Sequence, residues 1–497
     1  MPTQTSTTGS DFFTSRWGVI VAGIGMAVGA GNLWRFPRIA AENGGGAFLI
    51  PWLIFLFAWS IPLLIAEFGL GRGARRGPIG AFAALVGRHT AWMGGFVVVT
   101  TVMIMFYYSV VTGWALKYFT ASLAGDLASG ADPGAYWETY SNSIWQPILF
   151  HVAAIAAAGT VVARGVTRGI ERANRILIPT LFVLLLLAVT RAVTLPGAEE
   201  GLRYLFVPDL ARLADYRTWL EALTQSAWST GAGWGLLLSY AVYVRCDDDV
   251  VTNAVSIGLG NNLASILAAM AILPAVFAIL PTAEALDAMA AGNTGLSFIW
   301  IPQVFALMPA GEIFLPLFFL TLFFAALSSL IAMVELAVRV LLDGGLPRKR
   351  AVGLVVAAAA VCGMPSAASL QVFDNQDWVW GLALMVSGVF IAVAVIRYGA
   401  ERFRTDLVNT NSTGRRAGSL WSWVLTWLVP IEFVVMFAWW MYQSATVYDP
   451  EGWWHPIRVL SIGTCVAQWG IALTILWLGN RSLAERSLAA PHRGEAV

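Results

Sequence analysis

A chain of 497 residues that is 58% apolar and only 12% charged, with a mean hydropathy of +0.70, cannot be solvated as a water-soluble globule. The formal net charge of +1 gives no electrostatic reason to expect nucleic acid as a partner, so Arg and Lys matter here by position. Cys246, Cys362 and Cys465 have no paired spacing, and His89, His151, His455 and His492 are dispersed, so neither a disulfide framework nor a metal cluster nor an enzymatic nucleophile–base set is expected.

The first residues are polar and lack the charged start, short apolar run and small-residue cleavage site of a signal peptide. Twelve apolar runs of membrane length then follow, at roughly 17–41, 46–71, 91–123, 144–163, 173–194, 217–244, 250–280, 312–342, 350–364, 377–399, 419–442 and 456–479. Arginines collect on one side: Arg72, Arg75, Arg76 and Arg88 between spans two and three, Arg164, Arg168 and Arg172 between four and five. Arg348, Lys349 and Arg350 follow span eight, and Arg402, Arg404, Arg415 and Arg416 follow span ten. The alternate segments 124–143, 281–311 and 443–455 contain no Lys or Arg. The positive-inside rule therefore predicts a multi-pass protein of the inner (plasma) membrane with both termini in the cytoplasm.

Two spans are interrupted. Span one carries Gly25-Met26-Ala27-Val28-Gly29-Ala30-Gly31-Asn32-Leu33-Trp34-Arg35, and span six carries Trp228-Ser229-Thr230-Gly231-Ala232-Gly233-Trp234-Gly235. Glycines alone can be close-packing residues of membrane helices. Here each stretch opens a block of five spans, and an odd number of spans inverts the second block relative to the first. Paired, Gly-interrupted segments at matching places in two inverted halves point to a transporter site near the membrane midplane, where unwound backbone can be satisfied by an ion and a substrate. The predicted fold is thus all-α and polytopic: twelve transmembrane helices, a 5+5 inverted repeat, and helices 1 and 6 unwound. Its divisions are an N-terminal segment 1–16, repeats 17–200 and 201–400, two further helices in 401–480, and a tail 481–497.

The first stretch, followed by Ala41-Glu42-Asn43-Gly44-Gly45-Gly46, resembles the first-helix signature of the neurotransmitter:sodium symporter family, and specifically its bacterial amino-acid branch with the leucine-transporter-type fold. The resemblance continues through Tyr240-Ala241-Val242-Tyr243, Ala325-Ala326-Leu327-Ser328-Ser329 and Asp377-Trp378. It implies sodium-coupled symport by alternating access, with two sodium ions. One site would use Ala27, Asn32, Ser229 and Asn261 with a carboxylate oxygen of the substrate; the other would use Gly25, Val28, Ala325, Ser328 and Ser329. Neutral hard oxygens of this kind suit a small monovalent cation. Chloride is a candidate co-ion at Gln225, Ser229, Asn261 and Ser265, with Trp52 standing where the family's anion-binding Tyr is expected.

For the gates, the resemblance pairs Arg35 with Asp377 on the outer side, above a lid of Tyr108 and Trp228, and sets Tyr243 and Asp343 on the inner side. The N-terminal Arg that should hold Asp343 is absent, Ser10 standing at its position; Arg16 or a loop cation would have to substitute. Gly29, where amine-binding relatives carry Asp, leaves room for a substrate carboxylate against Ala30, Gly31 and Tyr108, with the ammonium near carbonyls of Ala27, Trp228 and Ser229. Met26, Ile104, Trp228, Gly231, Trp234, Ser329 and Met333 would line the side-chain pocket. The expected cargo is a hydrophobic or aromatic zwitterionic amino acid. Alternatives are a betaine-like N-methylated osmolyte caged by the tryptophans or, in another class, a sodium-gated channel or a transport-inactive sensor. The partners expected are that small solute and the bilayer, with the protein a monomer or weak homodimer.

Overall fold

The computed structural model describes residues 12–128, 130–410 and 414–489; Ser10 with the rest of residues 1–11, and residues 490–497 of the tail, lie outside these. In chain order, α1 (Arg16–Ala27) and α2 (Gly31–Glu42) meet at a bend of 54°. Then come α3 (Gly46–Ala74), α4 (Arg88–Ala124), α5 (Trp145–Ala163) and α6 (Val166–Val193). A second interruption separates α7 (Tyr216–Ser229) from α8 (Leu236–Ala241). The chain continues as α9 (Val250–Ile279), α10 (Gly311–Asp343), α11 (Arg348–Ala368), α12 (Leu370–Tyr398) and α13 (Ser419–Tyr448), and α14 (Ile462–Leu478) turns by 64° into α15 (Asn480–Ala489).

Among the described residues nine single helices, and the two bent pairs, are long and apolar enough to cross a membrane. The sixth expected span falls on α7 and α8, whose 14 and 6 residues are each too short to cross alone. The ninth expected span is longer than its apolar run suggests, since α11 takes in Arg348 at one end and Pro365 near the other. The fifth begins earlier, at Val166, with its polar first turns included. The only pairing of extended backbone among the described residues is an isolated antiparallel bridge between Gly45 and Pro208.

Local chemistry fixes the helix starts. Ser15 Oγ accepts from Gly18 N (3.1 Å), Asp215 from Arg217 N (2.9 Å), Asp249 from Thr252 N (3.0 Å) and Ser461 from Thr464 N (3.1 Å), each satisfying one of the donors a helix leaves open. The last of these explains why the twelfth expected span starts late, at Ile462.

Burial sorts the helices. Tyr118 of α4 and Phe319 of α10 are fully enclosed, whereas Val434 of α13 is 61% exposed and Ile471 of α14 is 64% exposed. Rows of open aliphatic side chains on α13 and α14 are incompatible with water and suit lipid. The interrupted segments of α1/α2 and α7/α8 lie inside, against α3, α4, α9, α10 and α12.

Candidate transport site

α1 stops at Ala27 because Val28 turns extended, with φ −75° and ψ 102°. The amides freed by this break find side chains: Gly29 N donates to Asn32 Oδ1 (2.9 Å) and Ala30 N donates to Tyr108 Oη (2.9 Å). The amide of Asn32 is thereby oriented, and its Nδ2 donates to Asn261 Oδ1 and to Ser265 Oγ, both at 2.8 Å.

The carbonyls around the break face oxygen. Ser328 Oγ lies 2.9 Å from Ala325 O and 3.4 Å from Val28 O, while Ser329 Oγ lies 3.1 Å from Met26 O, 3.3 Å from Val28 O and 3.4 Å from Gly25 O. The five residues read from sequence as one cation site thus form a single nest. A second nest surrounds Asn261. The amide atom that Asn32 contacts also stands 2.8 Å from Ser229 O and 3.2 Å from Ala27 O. Because Asn32 presents its nitrogen there, that atom is an oxygen. It sits among carbonyl oxygens as a cation ligand would.

Three glycines with positive φ, Gly231 (+71°), Gly233 (+89°) and Gly235 (+73°), carry the second break. A Cβ on Gly233 would come within 2.7 Å of Gly388 Cα, so backbone packs on backbone there. Glu67 of α3, fully buried, holds the loop: Oε1 accepts from Gly233 N (2.7 Å) and Gly235 N (3.2 Å), and Oε2 accepts from Leu238 N (3.2 Å). Thr101 Oγ1 donates to Trp234 O (2.6 Å) and Ser387 Oγ donates to Gly233 O (2.5 Å). Sequence reading passed over all three. The signal available was a lone carboxylate inside an apolar run, which in a membrane marks a functional position.

Between the breaks lies a cavity of about 70 Å³. Met26, Ala27, Gly29, Gly31, Tyr108, Trp228, Ser229, Gly231, Trp234, Ser329 and Met333 all line it. Ile104 is fully buried and contributes no lining; Ala30 reaches the site only through its bond to Tyr108. Val111 and Leu236 also line the wall, unanticipated from sequence. A Cβ on Gly29 would stand 2.6 Å from Tyr108 Oη and 2.9 Å from Ser329 Oγ, so no side chain fits at that position without displacing both. Trp228 and Trp234 meet edge to face, with ring centroids 5.6 Å apart. Arg35 lies over the Trp228 ring, its Cζ 5.4 Å from the centroid, and shares the cavity wall with Asp377.

Trp52 Nε1 and both amide atoms of Gln225, a cavity-wall residue, are buried without a hydrogen-bond partner among the described residues. At the Arg16 end of the bundle, Asp343 accepts from Gly77 N (2.7 Å) and is ion-paired with Arg339, one turn earlier on α10. Tyr243 Oη donates to Glu335 Oε1 (2.6 Å), and Arg348 bonds Glu335 Oε2 (2.7 Å) and Tyr243 Oη (3.1 Å). Arg16 instead donates to Asn253 Oδ1 (3.3 Å). Arg339, a residue inside a span that sequence reading did not consider, is thus ion-paired with Asp343, and the loop cation Arg76, next to Gly77, is also within electrostatic reach of it.

Residues 10–142 and 145–481 match the sodium:neurotransmitter symporter family. The chain belongs to that family. A crystal structure of MhsT in complex with L-phenylalanine superposes on it with a TM-score of 0.76 at 32% identity, covering 86% of this chain and 99% of that one. An uncharacterised sodium-dependent transporter of Methanocaldococcus jannaschii is 31% identical, covering 84% of this chain and 88% of its own length. The mouse sodium-dependent neutral amino acid transporter B(0)AT3 is 28% identical, covering 87% of this chain and 85% of its own length. This symporter is accordingly a multi-pass membrane transporter that couples transport to sodium and is not an enzyme.

Proposed function

We propose that this symporter imports a zwitterionic amino acid with a hydrophobic or aromatic side chain, together with two sodium ions. The observation that carries this reading is Gly29, which lines the cavity with no acid to anchor an amine. The negative group then has to come from the cargo, with the Tyr108 hydroxyl beside Gly29 as a donor and a sodium ion in the Asn261 nest as its counter-charge. One sodium ion would sit at Ala27, Asn32, Ser229 and Asn261 and the other at Gly25, Val28, Ala325, Ser328 and Ser329. An ion that shares a ligand with the substrate links the two affinities reciprocally. The bound phenylalanine of MhsT supports the cargo class. A methylammonium cage is less well supported, since one face of Trp228 already carries Arg35.

The same reading takes chloride as co-ion at Trp52, Gln225, Ser229, Asn261 and Ser265. Two buried donors without acceptors, Trp52 Nε1 and Gln225 Nε2, support it, because a buried donor left unpaired costs about 1–3 kcal/mol. The inner gate is taken as Asp343 with Arg339, and Tyr243 with Glu335 and Arg348, on the cytoplasmic side with both termini.

The test is thermal stabilisation of the purified protein by a panel of amino acids and betaines, in sodium against potassium and in chloride against gluconate. Stabilisation by hydrophobic amino acids in sodium only is expected. Sodium-dependent stabilisation by betaines alone would overturn the cargo class. Ser265→Glu, which supplies a fixed carboxylate, should abolish any difference between chloride and gluconate; a persisting difference would move the anion elsewhere.

A further inference from the structure

Arg35 has a second acid within reach, and it is not the one expected at its gate. The guanidinium lies against α7, its Cζ 5.4 Å from the centre of the Trp228 ring, and makes no direct ion pair among the described residues. Two carboxylates act on it, Glu221 more strongly than Asp377. Glu221 stands seven residues before Trp228 on α7, so the helical pitch puts both on one face about 10 Å apart, the face that Arg35 lies against. Asp377 belongs to another helix, α12, and stands beside Tyr107 of α4.

Glu221 has no other cation to balance it. Its Oε2 is buried without a hydrogen-bond partner among the described residues. The other charged or titratable groups whose fields reach it are Arg38, Glu42 and Tyr448. Arg38 is already occupied, bonding both oxygens of Glu42 (2.8 Å each) and Asn293 Oδ1 (2.9 Å). Packing alone would be served better by an apolar residue at 221, because a carboxylate loses its hydration on burial and gains nothing without a partner. A guanidinium attracted by two acids on different helices, and tightly paired with neither, has two places to rest. The Trp228 ring, which adds a cation–π attraction, marks the one it occupies here.

We propose that Glu221 is a positioning residue of the gate: it draws Arg35 onto α7, away from Asp377, and so holds the cavity open in competition with the closing pair Arg35–Asp377. This rests on reading Arg35 and Asp377 as that gate. Two carboxylates competing for one cation shift the same equilibrium in opposite directions, which a merely structural role for Glu221 would not do.

The experiment measures how fast the sulfonatoethyl methanethiosulfonate anion, which does not cross membranes, reaches a cysteine in the cavity. Met333→Cys, on the cavity wall, is the reporter, with the exposed Cys246 and Cys362 changed to Ser. Intact cells carrying the full-length protein are treated in sodium, and the label is counted on the purified protein. Glu221→Gln should slow labelling by about tenfold. Asp377→Asn should speed it, and the two together should label as fast as Asp377→Asn alone. The slowing has a sign that charge alone cannot give, because removing an acid near the entrance would speed an anion. Glu221→Asp, which keeps the charge on a shorter arm, should fall between wild type and Glu221→Gln, and carries the test if the glutamine variant does not fold. A rate in either that equals or exceeds wild type would overturn the proposal. An unchanged rate in Asp377→Asn would place the gate elsewhere and remove the proposal with it, which separates that failure from failure of Glu221 alone.

Discussion

The two breaks in the membrane helices look alike in sequence and are built differently. At the first, between Ala27 and Gly31, side chains satisfy the amides of Gly29 and Ala30 and leave the carbonyls of Gly25, Met26, Ala27 and Val28 facing hydroxyls and each other. At the second, between Ser229 and Leu236, a buried carboxylate takes three amides and two hydroxyls take two carbonyls. On the proposed reading, the first break is the one whose carbonyls, shared among two serine hydroxyls, would turn to ligands. The second is largely saturated by its own protein and serves as a fixed wall. Unwound backbone inside a membrane is therefore not one motif with one purpose; which partners its donors and acceptors already have decides whether it binds or braces.

The largest effect should come from unbracing the second break. Glu67→Ala leaves three amides without an acceptor and is expected to lower stability by about 3 kcal/mol or more, seen as a large fall in Tm without ligand. An unchanged Tm would mean that water or another group holds the loop. Next comes the first break: Gly29→Asp displaces Tyr108 and Ser329, adds a carboxylate beside the proposed site, and should weaken amino-acid binding by roughly 100-fold, about 3 kcal/mol, beyond any fall in Tm of the ligand-free protein. Intact binding in Gly29→Asp would place the cargo elsewhere.

A smaller effect is expected at the Arg16 end. Arg339→Ala removes the ion pair to Asp343, leaving the Gly77 amide and the field of Arg76, and hydrogen exchange over α1 should accelerate by about tenfold, roughly 1.4 kcal/mol of lost gate closure. Unaltered exchange would show that Arg348 and Glu335 close the gate by themselves. The smallest change is Trp234→Phe, which trims the wall and should shift preference among hydrophobic amino acids toward larger side chains by about 1 kcal/mol, measured as the ratio of their transport rates; no shift would make Trp234 pure packing.

Sequence alone disclosed the spans, both breaks and the oxygen nests, because each rests on a local contradiction: glycine, Asn or paired serines where lipid allows only apolar helix. It did not disclose Glu67 or Arg339. Each is a single polar residue in a run that reads correctly as a helix; Glu67 takes its meaning from distant backbone, Gly233, while Arg339 pairs with a side chain on its own helix, Asp343. Helical periodicity carries no record of such partners. At the inner gate, loop arginines do take part, Arg76 near Asp343 and Arg348 at Glu335 and Tyr243, while the direct ion pair of Asp343 is formed one turn along α10. Ile104 shows the converse, a buried residue one layer behind the wall it was expected to form.

The alternation of glycine through the second break has a consequence for how specificity can change over generations. Positions 231, 233 and 235 have backbone angles that other residues adopt only under strain, and beyond Gly231 they lack space as well. Within this break variation is left to the even positions, of which Trp234 lines the cavity, and beside it to Met26, whose terminal methyl group sits 3.4 Å from where a Gly231 Cβ would be. A lineage adapting to a different solute could thus change the wall at 26 and 234 without disturbing the glycine spine between them.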